Sequence, residues 1–178
     1  MKAGRCQYLL GLGSNLGDRC HYIEQAIAAL AELPETEVRA ISEAFDSDPV
    51  GYQDQGNFLN LCLSVTSGLN PAQLLAAGLA IEAKMGRVRT LKDGPRTLDI
   101  DLLFYEGGAV ELPELSLPHP RWCTRGFVVL PLRHLLQTPA LAKDPTWDWL
   151  RAEVASLPVD GSGLRPWQGP TPWIKPTR

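Results

Sequence analysis

No two of the four cysteines, Cys6, Cys20, Cys62 and Cys123, stand in a C-x-x-C pair, and no Cys/His cluster has the spacing of a zinc site. Disulfide staples and structural zinc are therefore set aside, and free thiols in a reducing, cytoplasmic compartment are expected. Lys2 and Arg5 precede an apolar stretch that Gly11 and Gly13 break early, which does not make a signal peptide, and no later run is long enough to span a bilayer. Basic residues are not in excess: 17 Lys and Arg against 20 Asp and Glu leave a net charge of -3, which argues against a dedicated nucleic-acid binder. The glycine-rich "GLGSNLG" lacks the spacing of a dinucleotide fingerprint, being one residue too long. It also lacks the Lys-Ser/Thr of a phosphate-binding P-loop. A tight strand-to-helix turn is the plainer reading.

The 178 residues suffice for one domain with a real apolar core. "QYLLGL" reads as a first strand, and Asp18 caps a helix running to Leu33, with Ile23, Ala26, Ile27, Leu30 and Leu33 on one face. Residues 37 to 46 read as a second strand, and "NFLNLCLSVTS" from Asn57 as a third. Pro71 opens a second helix to Met85, and a further strand begins at Leu98. That order, β-α-β-β-α-β, is the α+β, ferredoxin-like arrangement of an antiparallel sheet backed by two helices. A short strand near Val110, an apolar stretch "GFVVLPLRHLL" and a last helix in "TWDWLRAEVASL" follow as additional C-terminal elements. Residues 1–157 are expected to form the domain. Residues 158–178, rich in proline and carrying Trp167 and Trp173, are expected to form an irregular tail that packs on it.

The chemistry concentrates in "GRVRTLKDGPRTLDIDLLFY". Asp99 and Asp101 stand two apart on a strand and so point to one face, with Ile100, Leu102 and Phe104 expected on the other. Paired carboxylates repel each other and resist desolvation. Two readings make the pair tolerable. Hard cations such as Mg²⁺ neutralise it, or an Arg96–Asp99 ion pair does so without metal. Lys84, Arg87, Arg89, Lys92 and Arg96 make the preceding segment basic, which suits phosphate. In "NFLNLC", Phe58, Asn60 and Cys62 share a strand face, and an aromatic beside an amide can stack on and hydrogen-bond to a flat heterocycle. "LPHPRWCTRGF" adds His119, Arg121, Arg125 and Phe127, and a loop with a His and two Arg between prolines can meet nucleotide phosphates.

Four segments in order, "GLGSNLGDR", "DPVGYQDQGNFLN", "GRVRTLKDGPRTLDIDLLFY" and "LPHPRWCTRGF", resemble the 6-hydroxymethyl-7,8-dihydropterin pyrophosphokinase family of folate biosynthesis over roughly residues 8 to 135. The resemblance implies transfer of diphosphate from ATP to the pterin hydroxymethyl group, with release of AMP. It implies Asp99 and Asp101 as ligands of two Mg²⁺ ions bound with ATP, and Arg87 and Arg96 as catalytic charge neutralisers. Glu82, Arg89, His119 and Arg125 would meet the nucleotide, and Ser47, Val50, Phe58, Asn60 and Phe127 the pterin. The expected partners are these two small molecules, with no nucleic acid and no membrane, and the expected working unit is a monomer. Family members often carry a Trp just before the Gly-Pro-Arg. Asp93 stands there, in a loop one residue shorter, so the resemblance implies a lid without its large aromatic. Two other readings compete. An RNA-recognition motif shares the element order but needs more aromatics on its central strands, and a ferredoxin-like pterin or nucleotide sensor would have lost catalysis.

Overall fold

The computed structural model describes residues 4–88, 93–159, 161 and 163–173. Strand β1 spans Cys6–Ser14 and leads through a turn into helix α1, Arg19–Ala31, whose first turn is capped by Asp18 accepting from the His21 N–H. Strands β2 (Thr36–Ile41), β3 (Phe45–Ser47) and β4 (Phe58–Ser67) follow, then helix α2 (Pro71–Lys84) and strand β5 (Asp99–Tyr105). Asn70 and Gln73 close a reciprocal capping box at the start of α2, with Pro71 in the first turn. A small hairpin, β6 (Val110–Leu112) with β7 (Leu115–Leu117), precedes helices α3 (Gly126–Leu136) and α4 (Asp148–Ser156). Strand β8 is Leu164–Pro166.

The main sheet has the order β5-β1-β4-β3-β8, with β2 also paired to β4, and each pairing is antiparallel. This is the ferredoxin-like fold. Alternation along the strands divides the apolar side chains between two layers. Tyr8, Leu10 and Leu12 of β1, with Leu59, Leu61, Leu63 and Val65 of β4, pack under α1 and α2. Leu9 and Cys62 face the other way, against Val128, Val129 and Leu132 of α3 and Leu150 and Val154 of α4.

Three expectations change. The second strand breaks in two: the Ser42 N–H still donates to the Cys62 carbonyl, but the Cys62 N–H donates back to the Ser42 hydroxyl in place of a backbone carbonyl, and the β2 ladder ends there before β3 begins. Phe104 does not share a face with Ile100 and Leu102. The register of β1 against β5 slips between Leu9 and Leu10, so Leu103 and Phe104 both enter the α3 layer. The segment after Pro158 is not wholly irregular: β8 adds to the edge of β3, and Trp173 is buried with the core under α1 and α2. Proline is tolerated in β8 because it lies at the sheet edge.

Candidate active site

Helix α3 covers its face of the sheet only in part. Beyond its first turn, the edge strand β5 and its neighbours β1 and β4 continue without helical cover. There, Cys62, Gly11 and Asp101 lie side by side across β4, β1 and β5, and Asn60, Gly13 and Asp99 form the next row. The two glycines pave a floor between a polar, aromatic strand and an acidic one. A methyl group on Gly13 would come within 3.1 Å of Asn60 Oδ1 and 4.0 Å of Asp99 Cβ. Glycine within a strand marks a place where something must approach the backbone closely. Gly13, assigned from the sequence to a turn, is therefore part of the site floor, and strand continuation to Ser14 is the reason.

Two cavities meet on this floor. The first, of about 130 Å³, is lined by Ser47, Val50, Phe58, Asn60 and Phe127, all five residues expected at the pterin, together with Gly11 and Gly13. The second, of about 480 Å³, is lined by Glu82, Arg87, Arg96 and Arg125, with Leu75, Leu79 and Val88 as an apolar wall. Asp99, Asp101, Arg96, Arg121, Arg125 and Asp93 border both. Arg121, one of the two arginines of a loop that the sequence offers to nucleotide phosphates, lies at this seam. Its place at the seam follows from the short helical turn at Trp122–Thr124, which runs straight into α3.

The polar geometry is dense. Asp99 accepts from Arg87 Nη1 at 2.5 Å and from Arg96 Nη1 at 2.7 Å, so the ion pair posed as the metal-free alternative is present. Arg87 also pairs with Glu82 at 2.6 Å, and Glu82 Oε1 accepts from the Ile100 N–H at 2.8 Å. Glu82 is 3 % exposed, so it borders the larger cavity chiefly as the group that holds Arg87 against β5. Asp101 meets Arg125 at 3.5 Å. Burial, and then the neighbouring Asp99 charge, push its carboxyl up to about 6, with the Arg125 charge opposing them only in part. The guanidinium of Arg96 lies 5.2 Å from the Phe58 ring centroid and that of Arg125 lies 5.6 Å from Phe127, so the charged seam grips both aromatic walls. Asn60 Nδ2 donates to Ser47 Oγ at 2.7 Å, orienting the amide beside Gly13.

His119 lines neither cavity. Its N–H donates to the Leu103 carbonyl and its Nδ1 accepts from the Arg121 N–H, and burial together with Arg125 and Arg121 holds its pKa below the usual value. Arg89 lies outside the described residues. Asp93, in the left-handed region at φ 55°, packs its carboxylate over Gly51. The Asp93 carbonyl accepts from Gln55 Nε2 at 2.9 Å.

An aromatic slot beside a cationic, carboxylate-bearing cleft, on this strand order, is the layout of a phosphotransfer enzyme built on a ferredoxin-like domain. The comparisons with known proteins agree on which. The sequence model of the 7,8-dihydro-6-hydroxymethylpterin-pyrophosphokinase (HPPK) family matches residues 9–137, and the chain belongs to that family. It is 37% identical over 159 residues to the 2-amino-4-hydroxy-6-hydroxymethyldihydropteridine pyrophosphokinase of Bacillus subtilis, covering 89% of each chain. It is 43% identical over 152 residues to the Pseudomonas aeruginosa protein of the same name, covering 85% of this chain and 92% of that one. Among solved structures, Plasmodium falciparum HPPK-DHPS with pterin and p-hydroxybenzoate superposes with a TM-score of 0.64 at 15% identity, over 93% of this chain. This chain spans 46% of that longer one, and the likeness speaks to the fold. The relatives are named as enzymes, and the impaired-sensor reading finds no support among them.

Proposed function

We propose that the chain transfers diphosphate from ATP to the hydroxymethyl oxygen of 6-hydroxymethyl-7,8-dihydropterin, releasing AMP, as a step of tetrahydrofolate biosynthesis. The observation that carries this is the shared seam: Asp99, Asp101, Arg96 and Arg125 border both the aromatic and the charged cavity. A group passed from a ligand in one cavity to a ligand in the other crosses that seam.

The pterin ring lies in the smaller cavity against Phe58 and Phe127, with Asn60, Ser47 and Val50 reading its edge. The nucleotide takes the larger one, its base against Leu75, Leu79 and Val88 and its phosphates toward the arginines. The hydroxymethyl oxygen attacks the β-phosphorus, the bond from that phosphorus to the α-phosphate oxygen breaks, and the hydroxyl proton leaves to solvent. Such transfers depend on position and charge more than on covalent participation. Arg87 and Arg96, held on Asp99, are available to turn toward phosphate oxygens once the triphosphate arrives, and Arg125 and Arg121 add positive charge around it; the resemblance assigns Arg89 to the nucleotide as well. His119 orients the backbone of Arg121.

The donor set suits Mg²⁺. Among the described residues no three His, Cys, Asp or Glu side chains group to hold a metal alone. Asp99 and Asp101 offer two carboxylates on one face, Asp101 is weakly compensated, and hard cations on nucleotides take their remaining ligands from phosphate and water. Two Mg²⁺ ions bound with ATP would spread the charge of the phosphate oxygens during transfer. The test is AMP formation from ATP, Mg²⁺ and the pterin alcohol. Formation that EDTA stops supports the reading, and its absence removes it.

A further inference from the structure

The pterin-side wall of the site is made from a weak piece of structure. Strand β3 is three residues long, Phe45–Ser47, and the chain leaves it directly into the exposed loop that carries Val50 and Gly51. Two-strand pairing over so short a run is marginal. Yet Ser47 and Asp48 line the aromatic cavity, and Ser47 orients Asn60.

The C-terminal segment supplies what β3 lacks. β8 pairs along its open edge, Phe45 opposite Pro166, Asp46 opposite Arg165 and Ser47 opposite Leu164. The pairing extends at both ends. The Asp48 N–H donates to the Gly163 carbonyl at 2.7 Å, and the Trp167 N–H to the Ala44 carbonyl at 2.9 Å. Arg165 Nη2 donates to Asp46 Oδ1 at 3.0 Å and to Asp48 Oδ1 at 2.6 Å, one guanidinium spanning the residues on either side of Ser47. Asp46 is also gripped by Arg19 of α1 at 2.9 Å and by Asn57 at 2.8 Å, and the Arg19 guanidinium lies 5.0 Å from the Trp167 ring centroid. Gly163 has φ 70°, and a methyl group on it would stand 2.6 Å from an Asp48 carboxylate oxygen. The close approach needs glycine. Trp173 anchors the far end in the core.

We propose that Arg165, with Gly163, is a positioning residue for the pterin: the C-terminal segment straps β3 and fixes Ser47, Asp48 and the start of the Val50 loop in the form that receives the ring. The proposal rests on the pterin occupying the smaller cavity. Among the described residues, the hydrogen bonds and ion pairs that strap residues 163–167 make to the rest of the chain go to Ala44, β3 and Asp48 on the pterin side and not to the lining of the larger cavity, so its loss acts on one substrate.

Arg165 lies mostly in solvent, with its side chain 51% exposed, so its truncation does not open the core. In steady-state assays of the full chain, Arg165→Ala raises KM for the pterin about tenfold, with KM for ATP and kcat within twofold. Arg165→Lys, which keeps a cation near both carboxylates, restores at least half of the loss on a logarithmic scale. Gly163→Ala, a backbone perturbation at the same place, reproduces the split. An unchanged pterin KM in Arg165→Ala overturns the proposal, whatever happens to thermal stability. So does an equal loss in both KM values. A wild-type chain that neither binds nor turns over the pterin overturns both the proposal and the reading beneath it, whereas a normal wild type with an indifferent Arg165→Ala overturns the strap alone.

Discussion

Asp99 and Asp101 are chemically identical, two residues apart on one strand, and their environments predict opposite effects on stability. Asp99→Asn removes the charge that two half-buried guanidiniums share, with side chains 11% (Arg87) and 18% (Arg96) exposed. Two charge-assisted hydrogen bonds weaken, and after allowance for partial solvent access the variant loses about 2–3 kcal/mol. Among the described residues Asp101 pairs with Arg125 alone, at 3.5 Å, and its carboxyl is pushed up to about 6 by burial and by Asp99. A raised folded-state pKa means that the proton, not the charge, favours the native state. Its stabilising contribution is complete below the unfolded value near 4 and is lost as pH rises through 6. At pH 7.5 wild type therefore carries an unfavourable charge that Asp101→Asn lacks. The variant is more stable by on the order of 1–2 kcal/mol, discounted for screening of a side chain about one-third open. At pH 4 the difference vanishes. Both variants lose at least ~100-fold in turnover, because each removes a charge that the transfer needs. Urea unfolding at the two pH values and AMP release at pH 7.5 measure all of this. Equal destabilisation by both substitutions, or near-normal turnover in either, refutes the reasoning.

Arg96→Ala lowers kcat far more than it changes pterin affinity, since its guanidinium belongs to the seam even though it also lies over Phe58; an unchanged kcat in steady-state kinetics removes its catalytic role. Phe127→Ala weakens pterin binding by about 1–3 kcal/mol of stacking and burial, read by titration calorimetry with a non-hydrolysable ATP analogue, and unaltered affinity would make Phe127 a packing residue only. Mg²⁺ affinity in the presence of nucleotide climbs roughly tenfold per pH unit below 6 and levels off above it, with proton uptake into buffer to match, because the cation must displace the Asp101 proton. A flat profile from pH 5 to 7 would contradict that coupling.

Much of the site was legible because strand alternation is strict where the ladder is regular. It placed Phe58, Asn60 and Cys62 on one face and Asp99 with Asp101 on one face, and both assignments hold in β4 and β5. Alternation fails at bulges, and nothing in "DLLFY" announces that Leu103 and Phe104 enter the same layer. The break at Ser42 depends on a hydroxyl meeting a backbone N–H twenty residues away, a tertiary event with no local signature. "GLG" invited a turn because glycine usually means one. Its role as floor emerges only when β1 is flanked by Asn60 on one side and Asp99 on the other. The prolines of the tail concealed a strand because edge strands tolerate what central strands do not. Arg121 stood in the sequence only as one basic residue of a His/Arg loop able to meet phosphate, and it was the fold that brought it to the seam.

The most direct test is to incubate the purified chain with ATP, Mg²⁺ and 6-hydroxymethyl-7,8-dihydropterin and to follow AMP and the pterin diphosphate together. One AMP per pterin diphosphate, stopped by EDTA and absent without the pterin, is the predicted result. Formation of ADP instead of AMP, or no pterin-dependent turnover, would contradict the assignment of the seam to diphosphate transfer.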